Sequence, residues 1–405
     1  MSFVPIRQFR TDLNKEKEGQ THLRWALRAC PSVACNQWAA RGEVCRTSSC
    51  VLSQRKIGQA VREPKAGAQP WNFTAMAATW RVAKDMMFQG NFKAPEVDMS
   101  GKTVVITGPS RGGIGFETAL AIAQQGAQVL LAARNVEKAT SDLEIIASHT
   151  GQAGKLKVFK CDVSSSESAH ECAKEILKAH STVDVLINNA GAVFEEEKTV
   201  GAGVEISFAT CVLGHHVLNH KLKPRRIVWV TGDIYAISDG IANPYFKGAG
   251  VSAYANACLA RLMLALEMKR RGICQEIVAV HPGVIRSQFI KPKGCLEGAM
   301  LATCDWARID VVAGAQSSIY AATCPSGDFP DETIYLHNKY GWYVLEPSDL
   351  AMNTERSQAL FDECDQLCSI ARWKLLTRSA ARAGRRTWTW ETMRHLGWNI
   401  FPDSF

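Results

Sequence analysis

KTVVITGPSRGGIGFETALAIAQQG, residues 102–126, reads as a strand, a glycine-rich turn and a helix. Val104, Val105 and Ile106 form an apolar run short enough for a buried parallel strand. Gly108, Gly113 and Gly115 follow, and helix-spaced apolar residues begin at Ile114. A strand that turns sharply into a helix gathers free backbone N–H groups and the positive end of the helix dipole at one point, which suits a pyrophosphate. Glycine is required there because a Cβ blocks the turn or the approach of the phosphate. Alone, a glycine triad is equally a plain turn, so the rest of the chain has to decide.

Further segments repeat the pattern. AQVLLAARN is a second buried strand ending at Arg134, and KVFKCDVSSS a third ending at Asp162. VDVLINNAGAV runs into Asn188, Asn189, Ala190 and Gly191, and EIVAVHPGVIRS runs into Pro282 and Gly283. Helical segments separate them, which is the βαβ rhythm of an α/β doubly wound parallel sheet, a Rossmann fold. Each motif sits at a strand's carboxyl end, where such sheets bind ligands.

The order of a TG-rich turn, an acidic residue after the third strand, NNAG, a tyrosine and then PG resembles the short-chain dehydrogenase/reductase family, and in particular its retinol-dehydrogenase-like and related NADP-dependent members. The lead-in FKAPEVDMSGKTVVITG is also similar to theirs, and the resemblance extends over residues 97–370. It implies a nicotinamide dinucleotide. Gly108, Ser110, Gly113, Ile114 and Gly115 are then expected around the pyrophosphate, and Asp162 and Val163 at the adenine. Asn189, Ala190 and Gly191 are expected under the adenine ribose, with Pro282, Gly283, Val284 and Ile285 flanking the nicotinamide. Arg134 and Asn135 end the second strand and Arg111 lies in the turn. Cations there accommodate a 2′-phosphate, so NADP(H) is expected over NAD(H). The turn departs from the family pattern by one residue: Pro109, Ser110, Arg111 and Gly112 stand where the family has three.

The resemblance implies hydride transfer between the nicotinamide and a carbonyl or alcohol, with a tyrosine handling the hydroxyl proton. Tyr254 fits that tyrosine, in the helical run AYANACLARLMLALEMKRR. The lysine expected one turn later is Cys258. The serine position reads Gly232, with Thr231 the nearest hydroxyl, and the asparagine position in ISFATCVLGHHVL reads Cys211. An unperturbed phenol titrates near pH ~10, so it is a poor base at neutrality without a nearby cation. Arg261 is two turns beyond Tyr254, about 10 Å by helix rise, which reads as too far for a direct role. Lys247 lies in the PYFKGAG loop before the helix. Two readings stay open: an oxidoreductase, and a dinucleotide-binding pseudoenzyme serving as a sensor or assembly partner. Tyr245, Phe246, Phe289 and Trp306 point to an apolar, bulky carbonyl or alcohol substrate. The family's habit implies a homodimer or homotetramer.

The chain carries a formal charge of +8, unevenly spread. Residues 1–95 hold 15 Lys/Arg against 6 Asp/Glu, residues 371–405 hold 7 against 2, and residues 96–370 hold 25 against 31. The basic excess therefore belongs to two extensions around a single core domain, 96–370. Residues 21–70 resemble an organelle transit peptide in composition, so a plastid or mitochondrial location stands beside a cytoplasmic one. WNFTAMAATWRVAKDMMF, 71–88, reads as a short amphipathic helix, and the tail 371–405 as an irregular basic extension with four tryptophans. No apolar run reaches the ~18 residues of a membrane span, and no nucleic-acid partner is expected. Cys30, Cys35, Cys45 and Cys50 are too loosely spaced for a zinc knuckle, so no metal is expected and the cysteines read as free thiols.

Overall fold

The computed structural model describes residues 93–286, 308–326, 335–338, 342–344 and 347–382. All of them belong to one compact unit, Trp71–Phe405. The amphipathic helix at 71–88, the four N-terminal cysteines, Phe289 and Trp306 lie outside the described residues.

The chain alternates as the sequence predicts. β1 (Thr103–Thr107), α1 (Ile114–Gln124), β2 (Gln128–Ala133), α2 (Val136–Thr150), β3 (Leu156–Lys160), α3 (Ser166–Ala179) and β4 (Val185–Asn188) make the first half. A small antiparallel pair, β5 (Thr199–Val200) and β6 (Val204–Glu205), leads into α4 (Ile206–Phe208). A π-helical turn, Ala209–Leu213, joins α4 to α5 (Gly214–Leu222). β7 (Arg226–Val230), α6 (Gly250–Arg270), β8 (Glu276–His281) and α7 (Val311–Thr323) follow. β9 (Tyr335–Asn338), β10 (Trp342–Val344), α8 (Asp349–Met352) and α9 (Thr354–Arg382) close the described part.

The sheet runs β10-β9-β8-β7-β4-β1-β2-β3, parallel throughout except for β10. Strand order reverses between β1 and β4, because the chain passes from β3 back over β1. That reversal opens a crevice at the carboxyl ends of β1 and β4. Strand side chains alternate between two cores. Val104, Ile106, Leu131 and Ile187 pack with Phe116 and Ile122 of α1. Val105, Leu130, Leu186 and Trp229 pack on the opposite face, with α3, α5, α6 and α9.

Two boundaries differ from the sequence reading. Ala94 is already buried, and its N–H donates to Gln316 Oε1 on α7 at 2.8 Å, so ordered packing starts before residue 96. α9 continues to Arg382, into the segment read as an irregular tail. ARWKLLTRSAAR is rich in strong helix formers and holds no glycine or proline, so nothing stops the helix at 370.

Arg226, at the start of β7, ties three elements together. Its Nε and Nη2 each lie 2.6 Å from Glu276 Oε2 on β8. Its Nη1 donates to the carbonyls of Ala321 and Ala322 in the last turn of α7, at 3.2 and 3.1 Å. Arg226→Met leaves a mostly buried carboxylate and two carbonyls without this donor, and is expected to lower unfolding stability by about 2–4 kcal/mol. Urea unfolding followed by circular dichroism measures the loss, and adding Glu276→Gln is expected to recover part of it.

Candidate active site

The crevice is built from the glycine turn and the segment after β4. A Cβ on Gly108 would stand 2.9 Å from Ala190 Cα, and one on Gly115 2.5 Å from Asn189 Nδ2 and 2.7 Å from the Gly108 carbonyl. The two loops are therefore in contact, and neither glycine can be replaced without moving backbone. The extra residue of the turn is absorbed at Gly112, whose φ of +79° suits glycine and whose Cβ position is open space. The Gly113 N–H returns to the Ser110 carbonyl at 3.0 Å, and α1 starts on schedule at Ile114.

Helix starts separate this turn from its neighbours. α2 is capped by Asn135 and α3 by Ser165, each accepting a backbone N–H. α1 begins at Gly113 with no side-chain cap. Of the helices following β1, β2 and β3, only the one at the strand reversal has no side chain capping its first turn. The donors, the dipole and the absence of side chains fit a dinucleotide pyrophosphate. Arg111, with a side chain 66% exposed, has its backbone N–H held by Asp142 at 3.1 Å. Arg134 is exposed at the end of β2, where Lys160 of β3 donates to its carbonyl. Lys160 is a third cation that the sequence reading does not name.

Thr107 fixes the two loops. Its Oγ1 accepts the N–H groups of Asn189 and Ala190, at 3.0 and 2.9 Å. His215 places Nδ1 2.8 Å from the Cys211 carbonyl and Nε2 2.9 Å from Thr107 Oγ1. A carbonyl only accepts, so Nδ1 carries the proton and the Thr107 hydroxyl donates to Nε2. Burial and the Arg261 guanidinium hold the His215 pKa down at about 3, in keeping with this neutral form. The Asn189 carboxamide turns inward, donating to the Thr107 and Gly108 carbonyls at 2.9 and 3.2 Å. Its side chain therefore braces the turn instead of facing a ribose. Asp162 is likewise engaged: its Oδ1 accepts from the Ser164 N–H and hydroxyl at 3.0 and 2.7 Å. Val163 presses its backbone against Gly214 at the start of α5. After β8, Val284 and Arg286 pair with Ile309, and Ile285 packs on Gly314 of α7. Pro282 and Gly283 link this pairing to the end of β8.

Tyr254 is partly buried near the start of α6. The Cys258 thiol, one turn on, shares hydrogen bonds with Tyr254 and Thr231. Thr231 is buried, and its hydroxyl donates to the Cys258 carbonyl at 3.0 Å. Cys211 sits in the π-helical turn, and its Sγ lies 3.4 Å from where a Gly191 Cβ would be. Gly232 faces the His281 ring, 3.7 Å from its Cβ position. Lys247 and Tyr245 are exposed.

Arg261, from α6, is buried beside the crevice. It is 1% exposed, and its guanidinium donates to the carbonyls of Cys211 (2.7 Å), Val230 and Ala190. A Gly191 Cβ would lie 3.3 Å from its Nη2, so the charge lies directly beneath that glycine. Its charge acts on the three side chains around it, Tyr254, Cys258 and Cys211. Burial pushes the Tyr254 hydroxyl well above its usual pKa, the neighbouring Cys258 adds to this, and Arg261 opposes both. Burial likewise pushes Cys258 up to about 11 and raises Cys211, again against Arg261. At neutral pH the cluster is a protonated phenol and two protonated thiols around one buried guanidinium.

The short chain dehydrogenase family model matches residues 102–294. Over 255 residues the chain is 31% identical to an uncharacterised oxidoreductase of Schizosaccharomyces pombe, covering 56% of this chain and 74% of that protein. Over 217 residues it is 31% identical to retinol dehydrogenase 12 of Bos taurus, covering 50% and 68%. Among solved structures, an uncharacterised protein of Mycobacterium Paratuberculosis superposes with a TM-score of 0.54 at 25% identity, over 67% of this chain and 95% of that one. The chain belongs to the short chain dehydrogenase family. Among the described residues, no helix is long and apolar enough to cross a membrane.

The neutral, buried His215 gives the fold an acid-sensitive joint. An unfolded histidine protonates near pH ~6.5, whereas folded His215 resists protonation down to about 3. The unfolded chain therefore binds more protons between those values, and stability falls as pH drops through that window. Unfolding midpoints measured from pH 7 to 4 are expected to fall steadily, with a shallower slope in His215→Gln.

Proposed function

We propose that the chain is an NADP(H)-dependent oxidoreductase that reduces a carbonyl on an apolar substrate. The observation that carries this reading is the uncapped glycine turn at the strand reversal, packed against Asn189, Ala190 and Gly191. Its backbone donors are suited to hold the pyrophosphate. Arg111 and Arg134, joined by Lys160, favour a 2′-phosphate at the end of β2. Held by these residues, the nicotinamide would be the source of hydride for the carbonyl carbon. Tyr254 supplies the matching proton to the carbonyl oxygen and is left as a phenolate, within reach of the Arg261 charge. Burial keeps the phenol protonated, so the resting site holds the form that reduction uses, while the phenolate that alcohol oxidation needs is scarce at neutral pH. Arg261 is a positioning residue here: it acts on Tyr254 through its field and braces the carbonyls beneath Gly191. Retinol dehydrogenases among the relatives, and Tyr245 and Phe246 in the loop before α6, support an apolar substrate.

A second reading rests on Cys258, Gly232 and Cys211. With a thiol where the family resemblance implies a lysine, the chain binds the dinucleotide and turns over nothing. Consumption of NADPH in a screen of apolar aldehydes and ketones separates the two. The first reading expects consumption by the parent chain, and a loss of more than about 100-fold in Tyr254→Phe with NADPH binding retained. The second expects binding without consumption, and turnover in Cys258→Lys. Under the first, the reduction rate is flat across neutral pH, while oxidation of the product alcohol climbs with pH without levelling below the ordinary phenol range of ~10.

The charge at the end of β2 has its own test. Arg134→Glu is expected to weaken NADPH binding by about tenfold or more, roughly 1.4 kcal/mol, and to leave NADH binding within about twofold. Fluorescence titration with both reduced dinucleotides measures it. Equal losses for the two contradict a 2′-phosphate site at Arg134.

A further inference from the structure

On the face of α5 away from the crevice, two imidazoles one helical turn apart converge on a single carboxylate of α9. His216 Nε2 lies 2.6 Å from Asp365 Oδ1, and His220 Nε2 lies 3.5 Å from the same oxygen. The three ligand-type atoms all fall within 4.8 Å of one another. We propose that His216, His220 and Asp365 form a binding site for a borderline divalent transition-metal ion, zinc first among them, that staples α9 to α5.

The donor set fits that class of ion. Two imidazoles with one carboxylate suit zinc, nickel or cobalt, whereas magnesium and calcium call for oxygen donors. Metal–ligand bonds of about 2.0–2.2 Å in a tetrahedral site put ligand atoms about 3.3 Å apart. The His220–Asp365 separation already matches. The His216–Asp365 separation must open by about 0.7 Å on this count. Asp365, with a side chain 32% exposed, has room for that shift, whereas the His216 side chain is 1% exposed and fixed. The open side of Asp365 leaves the fourth position to water.

The packing around the cluster also suits a ligand role. The Phe361 ring stands edge-on to both imidazoles, at 5.0 and 5.6 Å between centroids, and fixes their planes. Among the described residues none hydrogen-bonds the buried His216 Nδ1, so the 2.6 Å contact satisfies only one side of this imidazole. Lys221, Lys223 and Arg271 oppose a further cation, which sets the affinity below that of a four-ligand structural site.

The test uses the full chain stripped with chelator and titrated with cobalt chloride and zinc chloride. The expected result is one equivalent of Co²⁺ with a visible d–d spectrum and no thiolate charge-transfer band, retained when Cys30, Cys35, Cys45 and Cys50 are all changed to Ser. His220→Asn and Asp365→Asn, at the two more accessible positions, are each expected to weaken binding by more than about tenfold and to abolish the rise in melting temperature given by zinc. Unchanged far-UV circular dichroism verifies that both variants fold. Metal uptake equal to the parent in both variants, a thiolate band that disappears with the four cysteines, or no uptake at all overturns the proposal. None of these readouts depends on turnover or on dinucleotide binding.

Discussion

One hydroxyl holds the crevice together. Thr107 ends β1, and its Oγ1 accepts the backbone N–H groups of Asn189 and Ala190, which follow β4. Its own proton goes to His215, whose opposite nitrogen grips the Cys211 carbonyl in the π-helical turn. A strand end, a loop and a helix irregularity are thereby fixed around one buried point. The close approach of Gly108 to the Ala190 backbone, and of Gly115 to the Asn189 side chain, depends on that arrangement. Buried polar networks of this kind are costly unless every member is satisfied, and here each stated atom has its partner.

The side chains on top of this frame differ from those the family resemblance implies. Thiols at 211 and 258 supply no charge, and burial pushes both toward the protonated form. The positive charge comes from Arg261, sunk beneath Gly191 and bound to three carbonyls. A guanidinium stays charged in such a place, whereas an ammonium readily loses its proton when buried. The π-helical turn keeps Cys211 against Gly191, and single π-turns recur where helices serve a function.

The fold was legible because each strand is a short apolar run and each ends in a residue that breaks the pattern. The glycine turn, Asn189 to Gly191 and Pro282 fall where the sheet places them, since strand ends follow directly from local sequence. What escaped is what depends on side-chain direction and on distant partners. Arg261 is set beneath Gly191 by carbonyls from three separate segments, which helix spacing does not encode. The inward turn of Asn189 follows from the contact with Gly108, which no local pattern encodes. His216 and His220 share a helix face by spacing alone, but Asp365 lies on α9 and meets them only in the folded chain. α9 itself overran its expected end because a basic, tryptophan-containing stretch was read by its charge and not by its helix propensity.

A direct binding measurement reaches the glycine turn at the strand reversal. Titration of the full chain with NADPH, followed by the change in dihydronicotinamide fluorescence, is expected to saturate at one equivalent. In Gly115→Trp the indole has to displace Asn189 and the Gly108 carbonyl, and saturable binding is expected to disappear. Affinity unchanged in Gly115→Trp, or no binding of either reduced dinucleotide by the parent chain, contradicts a nucleotide site at this turn.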